Sequence, residues 1–184
     1  MYKYLGYNLF LVPRYVNSNC KSLKKSWQRF LTFIKGIQIR EVRTCPKDII
    51  DIIDLDKHNF REVHDIAWFN WVLNYSFDKT LKKRLFTIDD SKKRIIGFFM
   101  VKIRFHENAI RFGGYKNVVV CSFIEWGATK MFLNEGELIA MAICYFGEGV
   151  DVIEVSSEDE EIVSELLSLG FNFKILPSFF SIST

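Results

Sequence analysis

Few side chains in this sequence combine a reactive type with a setting that suits chemistry. Glu125 closes the apolar run Val118–Trp126. A carboxylate at the end of a buried strand is placed to take a proton as a general base. If the strand has already emerged there, Glu125 is simply solvated. Tyr145 and Tyr115 carry hydroxyls that could protonate a leaving group, although core or surface packing also accounts for them. His64 and Asp65, followed by Trp68 and Trp71, sit on a helix that could line a substrate cleft. Cys121, inside a strand, reads as a small hydrophobe rather than a nucleophile. The basic runs Lys82-Lys83-Arg84 and Lys92-Lys93-Arg94 bracket one strand and read as solvated turns. No Ser/His/Asp order, complete phosphate-binding loop or metal-ligand spacing occurs, so no metal is expected.

These residues need a scaffold, and the C-terminal part shows it most clearly. Arg84–Ile88 reads as a short strand and Ile95–Phe105 as a long one, in which Gly97 marks a bulge or a close backbone approach. Val118–Trp126, almost continuously apolar, reads as a strand buried on both faces. Gly136–Phe146 has helical periodicity through Leu138, Ile139, Ala142, Ile143 and Phe146. A short strand, Asp151–Val155, precedes Ser156 and Ser157, either of which can cap a helix with an acidic first turn. That helix turns Ile162, Leu166 and Leu169 inward and ends at Gly170, before a last strand, 171–180. Upstream lie a strand at Ile37–Val42 and a helix from Pro46 to Asp56 with Ile49, Ile50, Ile53 and Leu55 inward. A second helix runs from Val63 to about Tyr75 and carries Ile66, Ala67, Trp68, Trp71 and Val72. The order β-α-α-β-β-β-α-β-α-β predicts an α/β fold: a central mixed sheet with helices on both faces.

At 184 residues, 49% apolar and 16% aromatic, the chain can bury a substantial core; disordered and collagen-like classes are excluded. Its longest apolar runs, about ten residues, are too short to span a bilayer as a helix. The net charge of +3 hides a division at residue 47. Residues 1–47 carry ten Lys/Arg and the single acid Glu41, and acids predominate after them. That split suggests a basic N-terminal appendage, residues 1–36, preceding a domain at 37–184. The four cysteines are widely spaced, which favours a reducing, cytoplasmic setting. No nucleic-acid-reading motif is present.

The appendage contains a repeat. Leu5-Gly-Tyr-Asn-Leu-Phe-Leu-Val-Pro13 aligns without gaps on Leu169-Gly-Phe-Asn-Phe-Lys-Ile-Leu-Pro177. Residues 1–16 therefore read as the last strand of a preceding copy of the domain, expected to pair at a sheet edge of this domain or of a second chain, whether a homo-oligomer or a tandem partner. Between strand and domain, Leu23, Trp27, Phe30, Leu31 and Ile34 mark an amphipathic helix over 20–35 with Lys21, Lys24, Lys25 and Arg29 opposite. It is expected to pack on the domain; contact with an anionic membrane surface is the alternative.

Over residues 37–184 the element order resembles the GCN5-related N-acetyltransferase (GNAT) superfamily. Ser168-Leu-Gly-Phe171 resembles that superfamily's C-terminal signature, and Ile39-Arg-Glu-Val42 followed by Pro46-Lys-Asp48 resembles its opening. Val63-His-Asp-Ile-Ala-Trp-Phe-Asn-Trp71 is similar to a substrate-side segment of GNAT-like proteins of polysaccharide biosynthesis, some of them tandem. The resemblance implies an acyl-CoA donor, acetyl-CoA or another, and an amine or amino-sugar acceptor. It also implies two parallel strands that splay around the pantetheine arm, here Val118–Trp126 and Asp151–Val155. The donor would then lie along Phe123, Ile124, Trp126, Gly127 and Ala128, with Lys130 and Gly136 at its phosphates. Departures from the family's pattern are visible: the loop 127–136 lacks the usual glycine spacing, Glu135 and Glu137 flank the helix start, and Leu166 stands where a tyrosine is frequent. They leave a non-catalytic binding or assembly module, half of a tandem, as the alternative function.

Overall fold

The computed structural model describes residues 4–11, 36–54, 64–75, 81–109, 115–129, 131–146, 150–157, 160–168 and 172–178. Its elements are β1 (Tyr4–Leu11), β2 (Gln38–Val42), α1 (Lys47–Asp54), α2 (Ile66–Asn74), β3 (Leu81–Asp89), β4 (Ile95–Ala109), β5 (Tyr115–Ala128), α3 (Glu135–Phe146), β6 (Val152–Ser157), α4 (Glu160–Ser168) and β7 (Asn172–Ser178). From β2 onward this is the element order read from the sequence. The α/β mixed sheet is confirmed.

The described strands form one seven-stranded sheet of order β2-β3-β4-β5-β6-β1-β7. Strands β2 to β5 form an antiparallel meander, and β5 pairs parallel to β6. Helices cover both faces because the strands carry apolar side chains on both. Phe86, Phe99, Phe123, Leu138, Ile139, Ile162 and Leu166 form the core under α3 and α4. Ile49, Ile52, Phe69, Val72, Phe98 and Met100 form the core under α1 and α2. Backbones approach closely where glycines allow it. A Cβ on Gly97 would lie 3.1 Å from Leu138 Cδ1, and one on Gly127 would lie 2.9 Å from Phe98 Cε1. Gly127→Ala is therefore expected to cost about 1–3 kcal/mol by overpacking, read from a denaturant midpoint.

Several local expectations are corrected. Ser156 and Ser157 do not cap α4; they are the end of β6, paired with Asn8 and Tyr7. The inner face of α2 is Phe69 and Val72, while Trp71 is 57% exposed and stacks on Tyr75. In α1, Ile52 is buried alongside Ile49 and Ile53. β3 extends from Leu81 to Asp89, well beyond the Arg84–Ile88 core of its pattern.

The strand β1 holds the largest surprise. It lies inside the sheet, antiparallel to β6 on one side and to β7 on the other, and not at an edge. β6 and β7 are consequently parallel, connected through α4, and separated by two strand spacings, about 10 Å. A strand expected to belong to an appendage thus completes the sheet. The amphipathic helix over 20–35 and the Leu169-Gly170-Phe171 signature lie outside the described residues. Among the described residues, no helix is long and apolar enough to cross a membrane.

Candidate active site

The parallel pairing of β5 with β6 is short. It joins Val120 to Val152, Cys121 to Ile153 and Ser122 to Glu154, and there it stops. Beyond that point β5 continues to Ala128 on β4, while β6 continues to Ser157 on β1. The two strands therefore diverge toward their C-terminal ends, the side on which open α/β sheets bind ligands. At the base of this fork Ser122 Oγ donates to Glu154 Oε2 at 2.7 Å. The splay expected between these strands is present.

The β5 wall also changes register at the fork. Met100 pairs with Glu125 but Val101 pairs with Phe123, so Ile124 is the extra residue of a β-bulge. A bulge re-aims the side chains that follow it. Here it sets Glu125 opposite Met100, on the α1/α2 side, while Trp126 packs toward the α3/α4 core.

On that side Glu125 meets the start of α2. His64 Nδ1 lies 2.8 Å from Glu125 Oε2, with the two side chains 9% and 13% exposed. The imidazole is stacked on the Trp68 indole, 3.5 Å between centroids and 6° from parallel. Phe69, fully buried, holds both rings edge-on from beneath, at 6.4 Å from His64 and 5.1 Å from Trp68, and it abuts Phe98 of β4 at 5.8 Å. A stacked ring on a packed platform keeps one orientation, so the His64–Glu125 contact is fixed before any ligand arrives.

Asp65 serves this arrangement from below. Its carboxylate accepts from the Trp68 backbone N–H at 2.7 Å and caps α2. Asp65→Ala should cost about 1 kcal/mol of stability, measurable as a shift in chemical denaturation. Cys45 N donates to Asn70 Oδ1 at 2.9 Å, tying the approach to α1 to the middle of α2.

The expected site residues therefore divide. His64, Trp68 and Glu125 come together; Phe123, Ile124, Trp126, Gly127 and Ala128 line β5 beyond the fork. Trp71 points to solvent. Tyr145 lies on the opposite face of the sheet from Glu125, 47% exposed with its ring 5.3 Å from Phe86. The structure does not bring it to the base. Lys130 lies outside the described residues. Cys121 and Cys45 are buried, and desolvation pushes their thiols up to about 12 and about 11, which keeps them protonated and unreactive.

The first turn of α3, expected to receive phosphate, is already satisfied by the chain. Asn134 Oδ1 accepts from Glu137 N at 2.7 Å, and Glu137 Oε2 accepts from Asn134 N at 3.0 Å, a reciprocal capping box. Glu135 Oε2 accepts from Trp126 Nε1 at 2.9 Å. Glu165 of α4 places a carboxylate oxygen where a Cβ on Gly136 would be, 1.9 Å from that position. Three carboxylates at one helix start oppose a diphosphate, so this turn is poorly suited to the phosphates of coenzyme A. The Asn-x-x-Glu spacing of the capping box was legible in the sequence. The approach of Glu165, from another helix, was not.

No family model matches the sequence, and neither does any protein of curated function. Solved structures do match the fold. A conserved protein of Enterococcus faecalis V583, described as a probable N-acyltransferase, superposes with a TM-score of 0.57 at 13% identity, over 95% of this chain and 38% of that one. Saccharomyces cerevisiae N-myristoyltransferase with bound myristoyl-CoA gives 0.54 at 13% identity, over 91% of this chain and 44% of the enzyme. L-PGS from Bacillus licheniformis gives 0.52 at 10% identity, over 84% and 46%. The chain thus shares the GNAT-like α/β fold of these structures and spans less than half the length of these three.

Proposed function

We propose that the protein transfers an acyl group from a thioester to an amine at the fork between β5 and β6. The observation that carries this reading is the His64–Glu125 pair, held at a β-bulge at the fork's mouth. An amine nucleophile must lose a proton before or as it attacks the thioester carbonyl. Glu125 is the acceptor of that proton, directly or through a water. His64 positions the carboxylate by its Nδ1 contact. Backbone N–H groups along Phe123–Gly127 polarise the carbonyl oxygen and stabilise the negative charge that develops on it. The C–N bond forms as the C–S bond breaks, and the thiolate leaves.

An acyl-CoA, acetyl-CoA or a longer one, is the donor we favour, because the matched yeast enzyme holds myristoyl-CoA in this fold. The acceptor is a small amine, an amino sugar or an envelope precursor of the kind suggested by the polysaccharide-type resemblance. A cytoplasmic location agrees with the cysteine usage. Contact with a membrane surface through residues 20–35 is a separate, less favoured property.

The carboxylates around the first turn of α3 favour a second reading, a non-catalytic GNAT-like module that binds or assembles. Calorimetric titration with acetyl-CoA and with CoA separates the two. Micromolar binding, about −8 kcal/mol, is the expected result. Absence of heat at millimolar ligand would favour the module and discard coenzyme A as the carrier.

A further inference from the structure

We propose that the space between β6 and β7 is an exchangeable strand slot, and that a second copy of this chain can fill it with its own β7 in place of β1. The slot exists because β6 and β7 are parallel and non-adjacent; it accepts any strand that runs antiparallel to both. Its present occupant is β1, whose sequence repeats that of β7. The alignment sets Asn8 on Asn172, Leu9 on Phe173, Phe10 on Lys174 and Leu11 on Ile175.

The register turns this repeat into a symmetry. Leu9, which aligns with Phe173, is also the residue paired with Phe173 across the β1–β7 ladder. The two similar strands are therefore related by a local two-fold axis through that pair. Replacing β1 by the β7 of a second copy makes the axis exact, with Phe173 opposite its own equivalent. The strand order becomes β6, partner β7, β7, partner β6, and one rotation fills both slots. Such an interface is isologous and closed, with no propagating end.

The substitution also suits β6. In the register that β1 now holds, Asn172 stands opposite Ser156, Phe173 opposite Val155 and Ile175 opposite Ile153. Lys174 stands opposite Glu154, where Phe10 is at present; an opposite-charge pair at a directly facing position stabilises a ladder. β6 is shared between the slot and the fork, so the occupant of one bears on the geometry of the other.

The test uses the full-length chain with Phe173→Cys under mild oxidation, read on non-reducing gels over a range of concentrations. An interchain disulfide whose yield rises with concentration is expected. Adding Leu9→Pro, which removes a backbone donor from β1, should raise that yield at least tenfold. Leu9→Cys with Phe173→Cys should instead close a bond within one chain and suppress the dimer. If Phe173→Cys gives no dimer above the background of the four native cysteines, the proposal is overturned, whether or not the proline variant folds.

Discussion

Glu125→Gln should lower kcat for acyl transfer to an amine by about 10²–10⁴-fold, the range typical for loss of a positioned general base. The amide keeps a carbonyl oxygen beside His64 Nδ1 but takes no proton at neutral pH. Donor affinity should remain unchanged, because the fork wall on β5 is untouched. The variant should recover as pH rises, since the amine then deprotonates in solution and no longer needs the carboxylate. A purely structural role for Glu125 predicts otherwise, namely a loss of stability and a deficit that does not shrink with pH. The matching change at His64, to Gln, should act on kcat more than on KM, because His64 orients the base and does not take the proton.

Phe69→Ala should be the most damaging core substitution near the site. Phe69 is fully buried and bridges the His64–Trp68 stack to Phe98 of the sheet. Removing its ring leaves a cavity that α2 cannot close without shifting. The expected cost is about 3–5 kcal/mol, which for a domain of this size lowers Tm by about 10 °C or more. Activity should fall as well, since His64 loses the floor that holds its ring. Phe132→Ala, at a position 47% exposed, serves as the control and should change Tm little. A shift of similar size in both variants would mean that Phe69 is not the support described here.

How much of this was legible before folding follows from the physics of each signal. The order of elements from β2 to β7 was readable because long apolar strands such as β5 and capped amphipathic helices carry their pattern locally. The Glu125–His64 contact was not readable as a pair. The residues are 61 positions apart, and they meet only because a single extra residue, Ile124, turns the β5 wall. The apolar residues of α2 do not by themselves mark its inner face, because Ile66 and Trp71 compete with Phe69 and Val72 for it; tertiary packing buries the latter. Ser156 and Ser157 looked like caps because serine suits a helix start equally well as it tolerates a strand end. The repeat at the N-terminus announced a strand but not its place. Insertion between β6 and β7 depends on the gap left by a parallel β-α-β connection, which only the sheet order reveals.

Amine-dependent release of free thiol from acetyl-CoA tests the central claim most directly. It would be followed against a panel of small amines that includes glucosamine, with the native chain and Glu125→Gln side by side. The account predicts thiol release that requires both protein and amine and that the substitution removes at neutral pH. Release no faster than in buffer across the panel would contradict it, and so would equal rates for the two proteins.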